Sequence, residues 1–381
     1  MENSIYLDNA AASKVDPAAV EAVEDCLLNN FGNPASPHSL GLRAEKIIKN
    51  ARQLLAELLG VKSKEIIFSS GGTESNNLAI QGAAAAYQQR GSHLITSAVE
   101  HSSVHNVFLE LEKRGWKVDR LGVDKKGRID LKELKSLLRE DTVLVSLMHV
   151  NNELGTVEPI YQAAEIIKNS NQRTIFHVDG VQAFAKIYCN LKKSKIDLYS
   201  ISGHKIHAPK GVGALFVREG IELRPLLFGG GQEKQLRAGT ENVPAIAGLA
   251  VVLSKIKKIT SAEDKNEILL KKRNYLLEKL KQIDSIHINS PQAGAPHIIN
   301  ISLADIRGET MVHALEAENI YVSTGSACTS GSAGSRVLKA CGLSKKRNLN
   351  ALRISLSEEI TEADLDKTVE VLEEKIDFLS F

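Results

Sequence analysis

Two turns in the sequence place polar residues directly after apolar, strand-like runs. In "FSSGGTES" (68–75), Gly72 and Thr73 open a helical pattern, so free backbone N–H groups and a hydroxyl are available to a phosphate. A Gly-Gly turn also serves chain geometry alone, and the G-x-x-x-x-G-K-[ST] pattern of nucleoside triphosphatases is missing from the sequence. In "HVDGVQ" (177–182), Asp179 is suited either to cap a helix or to hold a protonated ring nitrogen.

A third turn, "SISGHKIHAPKG" (200–211), groups Ser202, His204 and Lys205 after another strand-like run. A lysine between a hydroxyl and an imidazole suits an amine whose pKa is lowered for Schiff-base formation. Taken alone, the segment is also typical of a basic surface loop. A phosphate cradle, a ring-nitrogen partner and a Schiff-base lysine are together what pyridoxal phosphate requires of a protein. The combination therefore predicts a pyridoxal-phosphate enzyme.

One cysteine occupies the least packable run in the chain. Cys328 lies in "STGSACTSGSAGS" (323–335), and glycine and serine at this density predict a mobile segment, whereas a free cysteine is normally buried. Cys328 is either a reactive thiol that a mobile loop carries between sites or an exposed thiol without function. The other cysteines, Cys26, Cys189 and Cys341, form no C-x-x-C pair with it, so the sequence indicates free thiols in a reducing compartment.

These turns are positioned by strands that alternate with helical patterns, which predicts βαβ units and a mostly parallel sheet. The predicted strands are 65–70, 93–97, 142–150, 174–180, 197–202 and 213–217. Because ligands of parallel α/β sheets bind at the carboxyl ends of the strands, we expect the three turns to meet at one edge.

The pattern changes after Val252. Residues 255–281 are rich in lysine and glutamate and have helical spacing, which predicts a long connecting helix into a smaller C-terminal α+β domain. The expected organisation is a large cofactor-binding domain, 14–258, and a small domain that carries the Cys328 loop (about 323–336), made of 1–13 and 259–381.

Composition excludes several classes of partner. Hydrophobic residues make up 43% and charged residues 25% of the chain, as in ordinary globular proteins, and the net charge is only +2. This balance gives no electrostatic reason to expect nucleic acid or a membrane surface as partner. The N-terminus lacks the pattern of a secretory signal, and the most apolar run (245–253) is too short to span a bilayer. We therefore expect a soluble, cytoplasmic protein.

The sequence resembles the pyridoxal-phosphate-dependent cysteine desulfurases of the NifS/IscS-like group nearly from end to end. The resemblance implies fold type I, with a large domain containing a mostly parallel, seven-stranded sheet flanked by helices. The matching stretches are "YLDNAA" (6–11), "GNPASPHSLG" (32–41), "GGTESNNLAI" (71–80), "EHSSV" (100–104), "HVNNELGTVEP" (149–159), "HVDGVQ", "SGHKIHAPKG", "GGGQE" (229–233), "RAGTEN" (237–242), "GSACTSG" (325–331) and "LRISL" (352–356). Three small residues depart from the pattern, Ala12, Ala208 and Ala238.

The resemblance implies roles for residues around the cofactor. Lys205 holds pyridoxal 5'-phosphate covalently, and Asp179 pairs with its pyridinium nitrogen. Gln182 and Asn152 contact the region of the ring hydroxyl. The residues implied for the phosphate are Gly72, Thr73, Ser202 and His204, with Thr240 from the second subunit of a homodimer.

The resemblance also implies the reacting groups. His101 stacks on the ring and moves protons, and Arg353 beside Asn152 binds the substrate carboxylate. His101 and His105 have the i,i+4 spacing of a zinc face, but the H-E-x-x-H pattern and a third ligand are missing from the sequence, so we expect no metal. Cys328 attacks the sulfur of bound L-cysteine, which leaves a protein persulfide and releases alanine. The Gly/Ser-rich loop supplies the travel that this step needs.

The expected function is thus a cysteine desulfurase that passes persulfide sulfur to an iron–sulfur scaffold or another sulfur-carrier protein, for cluster assembly or tRNA thiolation. One alternative is a selenocysteine lyase or another fold-type-I enzyme of the same cofactor. The other is a non-catalytic sulfur carrier or scaffold-binding protein on a degenerate enzyme fold, which the presence of Lys205, Asp179, His101 and Cys328 disfavours.

Overall fold

The computed structural model describes residues 4–258, 262–325 and 334–379. The strands are β1 (Ile5–Tyr6), β2 (Ile66–Ser69), β3 (His93–Ser97), β4 (Lys117–Leu121), β5 (Thr142–Met148), β6 (Ile175–Asp179), β7 (Leu198–Ser202), β8 (Gly213–Val217), β9 (Ile286–Ile288), β10 (Ile298–Leu303), β11 (Ile320–Tyr321) and β12 (Ala351–Ser355). The helices are α1 (Pro17–Leu28), α2 (Ser39–Leu59), α3 (Gly72–Tyr87), α4 (Ser102–Lys113), α5 (Leu131–Leu137), α6 (Ile160–Ser170), α7 (Val243–Lys258), α8 (Ala262–Leu280), α9 (Gly308–Glu316), α10 (Arg336–Ala340), α11 (Lys345–Leu349) and α12 (Glu362–Leu379).

The large sheet has seven strands in the order β2-β8-β7-β6-β5-β3-β4. Only β8 runs against the others, antiparallel to both β7 and β2, so the prediction of a mostly parallel, seven-stranded sheet is confirmed. Every residue of β2, β3, β5, β6, β7 and β8 is buried, as expected for strands covered on both faces. The apolar pattern does not predict β4, because this edge strand carries Lys117, Asp119 and Arg120.

Helices cover both faces of this sheet. Buried residues of α1, α2, α6 and α7 pack with one face, and buried residues of α3 and α4 pack with the other. The ends of two helices follow from the sequence. The side chain of Asp16 accepts the Ala18 N–H at 2.9 Å and Pro17 is the first residue of α1, while Gly60 ends α2 with φ 70°.

A smaller group of elements forms an α+β layer. The strands β12, β10 and β9 form an antiparallel sheet, and β1 pairs in parallel with β11. Their apolar residues share a core with α8, α9 and α12. Thr361 and Asp364 form a capping box at the start of α12, where the Asp364 N–H donates to Thr361 Oγ1 at 3.1 Å.

The predicted single helix over 255–281 is wrong at its start. Residues 255–258 end α7, which begins at Val243 and packs against α1 and α2 through its buried face. The second helix, α8, covers Ala262–Leu280, and 259–261 lie outside the described residues. The lysine-rich composition conceals the true start of α7, because the lysines at its end continue the polar pattern of α8. No helix in the described part of the chain is long and apolar enough to cross a membrane.

Candidate active site

The three polar turns and two further segments meet at the carboxyl edge of the large sheet, around a cavity of about 420 Å³. Ten of the predicted site residues line this cavity: Gly72, Thr73, His101, Asn152, Asp179, Gln182, Ser202, His204, Lys205 and Arg353. Thr240 does not line it and is exposed on the single chain. Cys328 lies outside the described residues.

One end of the cavity is suited to a phosphate. The helix α3 begins at Gly72, so its first backbone N–H groups are free for an anion. Ser202 Oγ and His204 Nδ1 lie 3.1 Å apart beside this turn. A Cβ built on Gly72 would lie 2.6 Å from a methyl group of Val181, so glycine is required there. Burial, followed by the charge of Lys205, lowers the pKa of His204 to about 4.

Asp179 projects into the cavity from the end of β6 and is oriented by two donors. Its Oδ1 accepts the Val181 N–H at 3.0 Å, and its Oδ2 accepts Asn76 Nδ2 at 2.8 Å. Asn76 also donates to Ser103 Oγ at 2.9 Å. Asn76 was missed at the sequence level, although its position four residues after Gly72 places it on the same face of α3.

The surroundings of Lys205 favour the uncharged form of its amine. Its Nζ donates to the carbonyl oxygens of Ala10 and Ala11, each at 2.7 Å, so "YLDNAA" forms one wall of the site. Burial, followed by the charges of Arg353 and Lys186, lowers the pKa of Lys205 to about 7. A substantial fraction of this amine is therefore unprotonated near neutral pH, as covalent attachment to an aldehyde requires.

His101 precedes α4 and its ring is fixed by Ser103. Nδ1 of His101 lies 2.8 Å from Ser103 Oγ and 3.2 Å from the Ser103 backbone nitrogen. Burial lowers the pKa of His101, Asp179 opposes this shift, and Lys205 adds to it. Burial therefore favours the neutral imidazole, and because its Nδ1 accepts the Ser103 N–H, the proton of the neutral ring is on Nε2.

Arg353 is the cation at the opposite end of the cavity, and only 1% of its surface is exposed. It donates to the Asn152 carbonyl oxygen at 3.0 Å and to Asp8 Oδ1 at 2.7 Å. Its Nε and the Oδ1 of Asn152 are buried without a partner among the described residues. Buried polar groups are normally hydrogen-bonded, so these two atoms indicate a missing polar ligand. Asp8 lies in a matched motif, but no sequence pattern revealed its contact with Arg353.

The donor set fits pyridoxal phosphate. An anion site at a helix N-terminus, a carboxylate and a lysine of lowered pKa surround one cavity. Gln182, whose Nε2 donates to the Ala10 oxygen at 2.8 Å, lies at the same wall as Lys205. The helix N-terminus suits the phosphate of the cofactor, and the carboxyl group suits its ring nitrogen. The lysine amine is the nucleophile for its aldehyde carbon.

Comparison with known proteins agrees with this geometry. The model of the family described as Aminotransferase class-V matches residues 5–368, so the fold and site define a pyridoxal-phosphate-dependent enzyme of that class. "Cysteine desulfurase IscS" of Methanosarcina thermophila is 42% identical over 375 residues, which cover 97% of this chain and 91% of that protein.

Two solved structures are also similar. One is described as "NIFS-LIKE PROTEIN", with a TM-score of 0.92 and 36% identity over 98% of this chain and all of the other. The second is described as "SspA in complex with cysteine", with a TM-score of 0.82 and 36% identity over 93% of this chain and 99% of the other. The chain belongs to the cysteine desulfurase family, in the NifS/IscS group.

Proposed function

We propose that this protein is a cysteine desulfurase, which removes the sulfur of L-cysteine and releases alanine. The observation that carries the proposal is one cavity that combines Lys205 of lowered pKa with the buried, incompletely bonded guanidinium of Arg353. The first group suits an aldehyde cofactor and the second suits the carboxylate of a small amino acid. A related structure contains cysteine according to its description, which supports the same substrate class.

The cofactor-binding residues are proposed from their positions around the cavity. The phosphate is bound by the N-terminus of α3 with Thr73, Ser202 and His204, and the ring nitrogen by Asp179. Lys205 would hold the cofactor covalently through its aldehyde, and Gln182 and Asn152 would contact the region of the ring hydroxyl. When bound, pyridoxal phosphate serves as an electron sink that makes the Cα proton of an amino acid removable.

The substrate is held by its carboxylate. Arg353 lines the cavity and would bind it, while Asp8 and the Asn152 carbonyl oxygen keep the guanidinium plane in place. His101, neutral and fixed by Ser103, accepts or returns the proton at the substrate carbon. Arg353, Asn152, His101 and Ser103 all line the same cavity.

Cys328 is the proposed sulfur acceptor. Its thiolate forms an S–S bond with the sulfur of the bound substrate, and the Cβ–S bond of the substrate breaks. The electron pair of that bond stays with carbon, which is finally protonated, so alanine leaves and a persulfide remains on Cys328. A thiol acceptor protein, such as an iron–sulfur scaffold or another sulfur carrier, then takes the terminal sulfur.

A homodimer is part of the proposal. Thr240 is exposed on the single chain, and 85% of the surface of Phe228 is exposed as well. The two segments are in contact, because a Cβ built on Gly229 would lie 3.0 Å from Cβ of Ala238. In the proposed dimer, Thr240 reaches the phosphate site of the partner subunit. Such an interface needs an apolar side chain to bury, and the exposed Phe228 in the neighbouring segment provides one.

The decisive experiment measures alanine and sulfide released from L-cysteine in the presence of a thiol reductant, with Cys328→Ala against the unmodified protein. We expect the variant to keep the cofactor spectrum and to lose both products. The matched control is Cys189→Ala, since Cys189 is buried away from the cavity, and it should keep turnover. Equal turnover in Cys328→Ala and the unmodified protein would reject a persulfide on this residue.

A further inference from the structure

The chain on the N-terminal side of Cys328 rests on the substrate-binding strand. Ser323 and Arg353 are joined by two backbone hydrogen bonds, in which the Ser323 N–H donates at 3.2 Å and the Arg353 N–H donates at 2.6 Å. The hydroxyl of Ser323 also donates to the Gly325 carbonyl oxygen at 3.0 Å. The described chain on this side, here called the N-flank (323–325), is thus fixed to the residue that binds the substrate carboxylate.

The chain on the C-terminal side, here called the C-flank (334–336), rests on other parts of the site. Ser335 caps α10, its N–H donates to Asn348 Oδ1 at 2.7 Å, and its carbonyl oxygen accepts Asn348 Nδ2 at 2.8 Å. The guanidinium of Arg336 donates to the carbonyl oxygens of Ala98 and Glu100. Glu100 directly precedes His101, so the C-flank is tied to the turn that carries the proposed proton acceptor.

One buried carboxylate bonds to the C-flank and lies beside the N-flank. Glu153 is 3% exposed and follows Asn152 in "HVNNELG". Its Oε2 accepts the hydroxyl of Ser335 at 2.5 Å. A Cβ built on Gly325 would lie 3.2 Å from the same oxygen, and Gly325 has φ +149°, so glycine lets the N-flank approach this atom. Glu153 does not line the cavity.

We propose that Glu153 is a positioning residue that holds the C-flank of the Cys328 segment against the active site, opposite the N-flank fixed by Arg353, and thereby sets the rate of sulfur transfer to Cys328. This inference rests on the proposed function. Only eight residues (326–333) separate the flanks, so fixing both ends reduces the number of conformations the thiol must search.

The burial of a carboxyl without a full ionic partner supports a positioning role. Burial raises the pKa of Glu153, and the hydroxyl of Ser335 and the charges of Arg353 and Arg336 oppose this shift. Placing such a group in the interior costs free energy, and that cost is offset only where the hydrogen bond it makes is retained. Glu153 Oε2 accepts a hydrogen bond from the C-flank, and Glu153 does not line the substrate and cofactor cavity.

The test compares Glu153→Ala with Glu158→Ala. Both carboxyls are 3% exposed, both belong to the same turn, and burial raises both pKa values, but Glu158 Oε2 accepts the Ile129 N–H instead of a flank residue. Persulfide on Cys328 is measured by mass spectrometry in a single turnover of the holoenzyme. Binding of L-cysteine is measured separately from the cofactor absorbance.

We expect Glu153→Ala to form the persulfide about tenfold more slowly or worse, with unchanged affinity for L-cysteine, and Glu158→Ala to keep the original rate. Glu153→Gln should recover most of the rate, because its amide oxygen accepts the Ser335 hydroxyl. Ser335→Ala removes the same hydrogen bond from the other side and gives the test if Glu153→Ala does not fold. Adding it to Glu153→Ala should slow the step no further.

A second readout is independent of turnover. Amide hydrogen exchange at Ser335–Leu338 should become faster in Glu153→Ala than in Glu158→Ala, since only the former releases the C-flank. Persulfide formation at the original rate in Glu153→Ala, or equal slowing in both alanine variants, would overturn the inference while leaving the proposed function intact. Absence of persulfide in the unmodified protein would instead overturn the proposed function itself.

Discussion

At the scale of single residues, the site depends on charges that oppose one another over short distances. The amine of Lys205 is surrounded by two backbone carbonyl oxygens and by the charges of Arg353 and Lys186, and burial is the largest cause of its lowered pKa. The carboxyl oxygens of Asp179 are oriented by two donors, as its proposed pairing with a ring nitrogen requires. Neighbouring strand ends thus supply an amine of lowered pKa and an oriented carboxyl group.

Asp179→Ala should weaken cofactor binding by roughly 10- to 100-fold, because a charge-assisted hydrogen bond to the ring nitrogen contributes about 1.5–3 kcal/mol. Asn76→Ala keeps the carboxylate and removes only one of its donors, so its loss should be smaller. Cofactor affinity is measured by absorbance during titration of the apoprotein. Equal affinity in Asp179→Ala and the unmodified protein would contradict the proposed role.

Residues at strand ends were predictable from the sequence, whereas their supporting partners were not. Asp179 and Lys205 each follow an apolar run, and the shared edge of parallel strands brings such residues together. Asp8 and Glu153 were not assigned roles, because their contacts with Arg353 and Ser335 join segments 345 and 182 residues apart. No periodicity within one element specifies a pairing over such a separation.

At the scale of elements, most of the large sheet follows from its sequence pattern. The six predicted strands coincide with β2, β3, β5, β6, β7 and β8 to within about two residues, because buried strands are continuous apolar runs. The reversed direction of β8 could not be predicted from composition, because an apolar run reads the same in a parallel and in an antiparallel strand. The domain boundary at residue 258 stays a prediction.

The turn between β5 and α6 contains a carboxyl that should make stability depend on pH. Burial raises the pKa of Glu158 to about 8, and the Ile129 N–H opposes this shift only partly. In the unfolded chain a glutamate titrates near 4.3. The group is therefore protonated when folded, and its stabilising contribution, complete below about pH 4, is lost as the pH rises towards 8.

Glu158→Gln cannot ionise, so its free energy of unfolding relative to the unmodified protein should rise between pH 5 and pH 8 by about 1 kcal/mol or more. Urea unfolding at several pH values measures this difference. Glu45→Gln on the exposed surface of α2 is the control, and its difference from the unmodified protein should not change with pH. A pH-independent difference for Glu158→Gln would show that this carboxyl is ionised in the folded protein.

At the scale of the whole molecule, the proposed homodimer can be separated from folding. Phe228→Asp places a charge on the exposed segment beside Thr240 and should shift the protein towards monomer at micromolar concentration. Phe378→Asp is the matched control, because this side chain is 75% exposed on α12. Sedimentation velocity measures the oligomeric state, and a dimer that persists in Phe228→Asp would exclude this face as the interface.

The N-terminal segment has a further consequence for how the protein is made. Its residues Asp8, Ala10 and Ala11 bond to Arg353 and Lys205, and its strand β1 pairs with β11. The large sheet contains no residue beyond Val217, so it can assemble early during synthesis, while Arg353 is added more than a hundred residues later. A nascent chain therefore carries a folded scaffold without a working pocket.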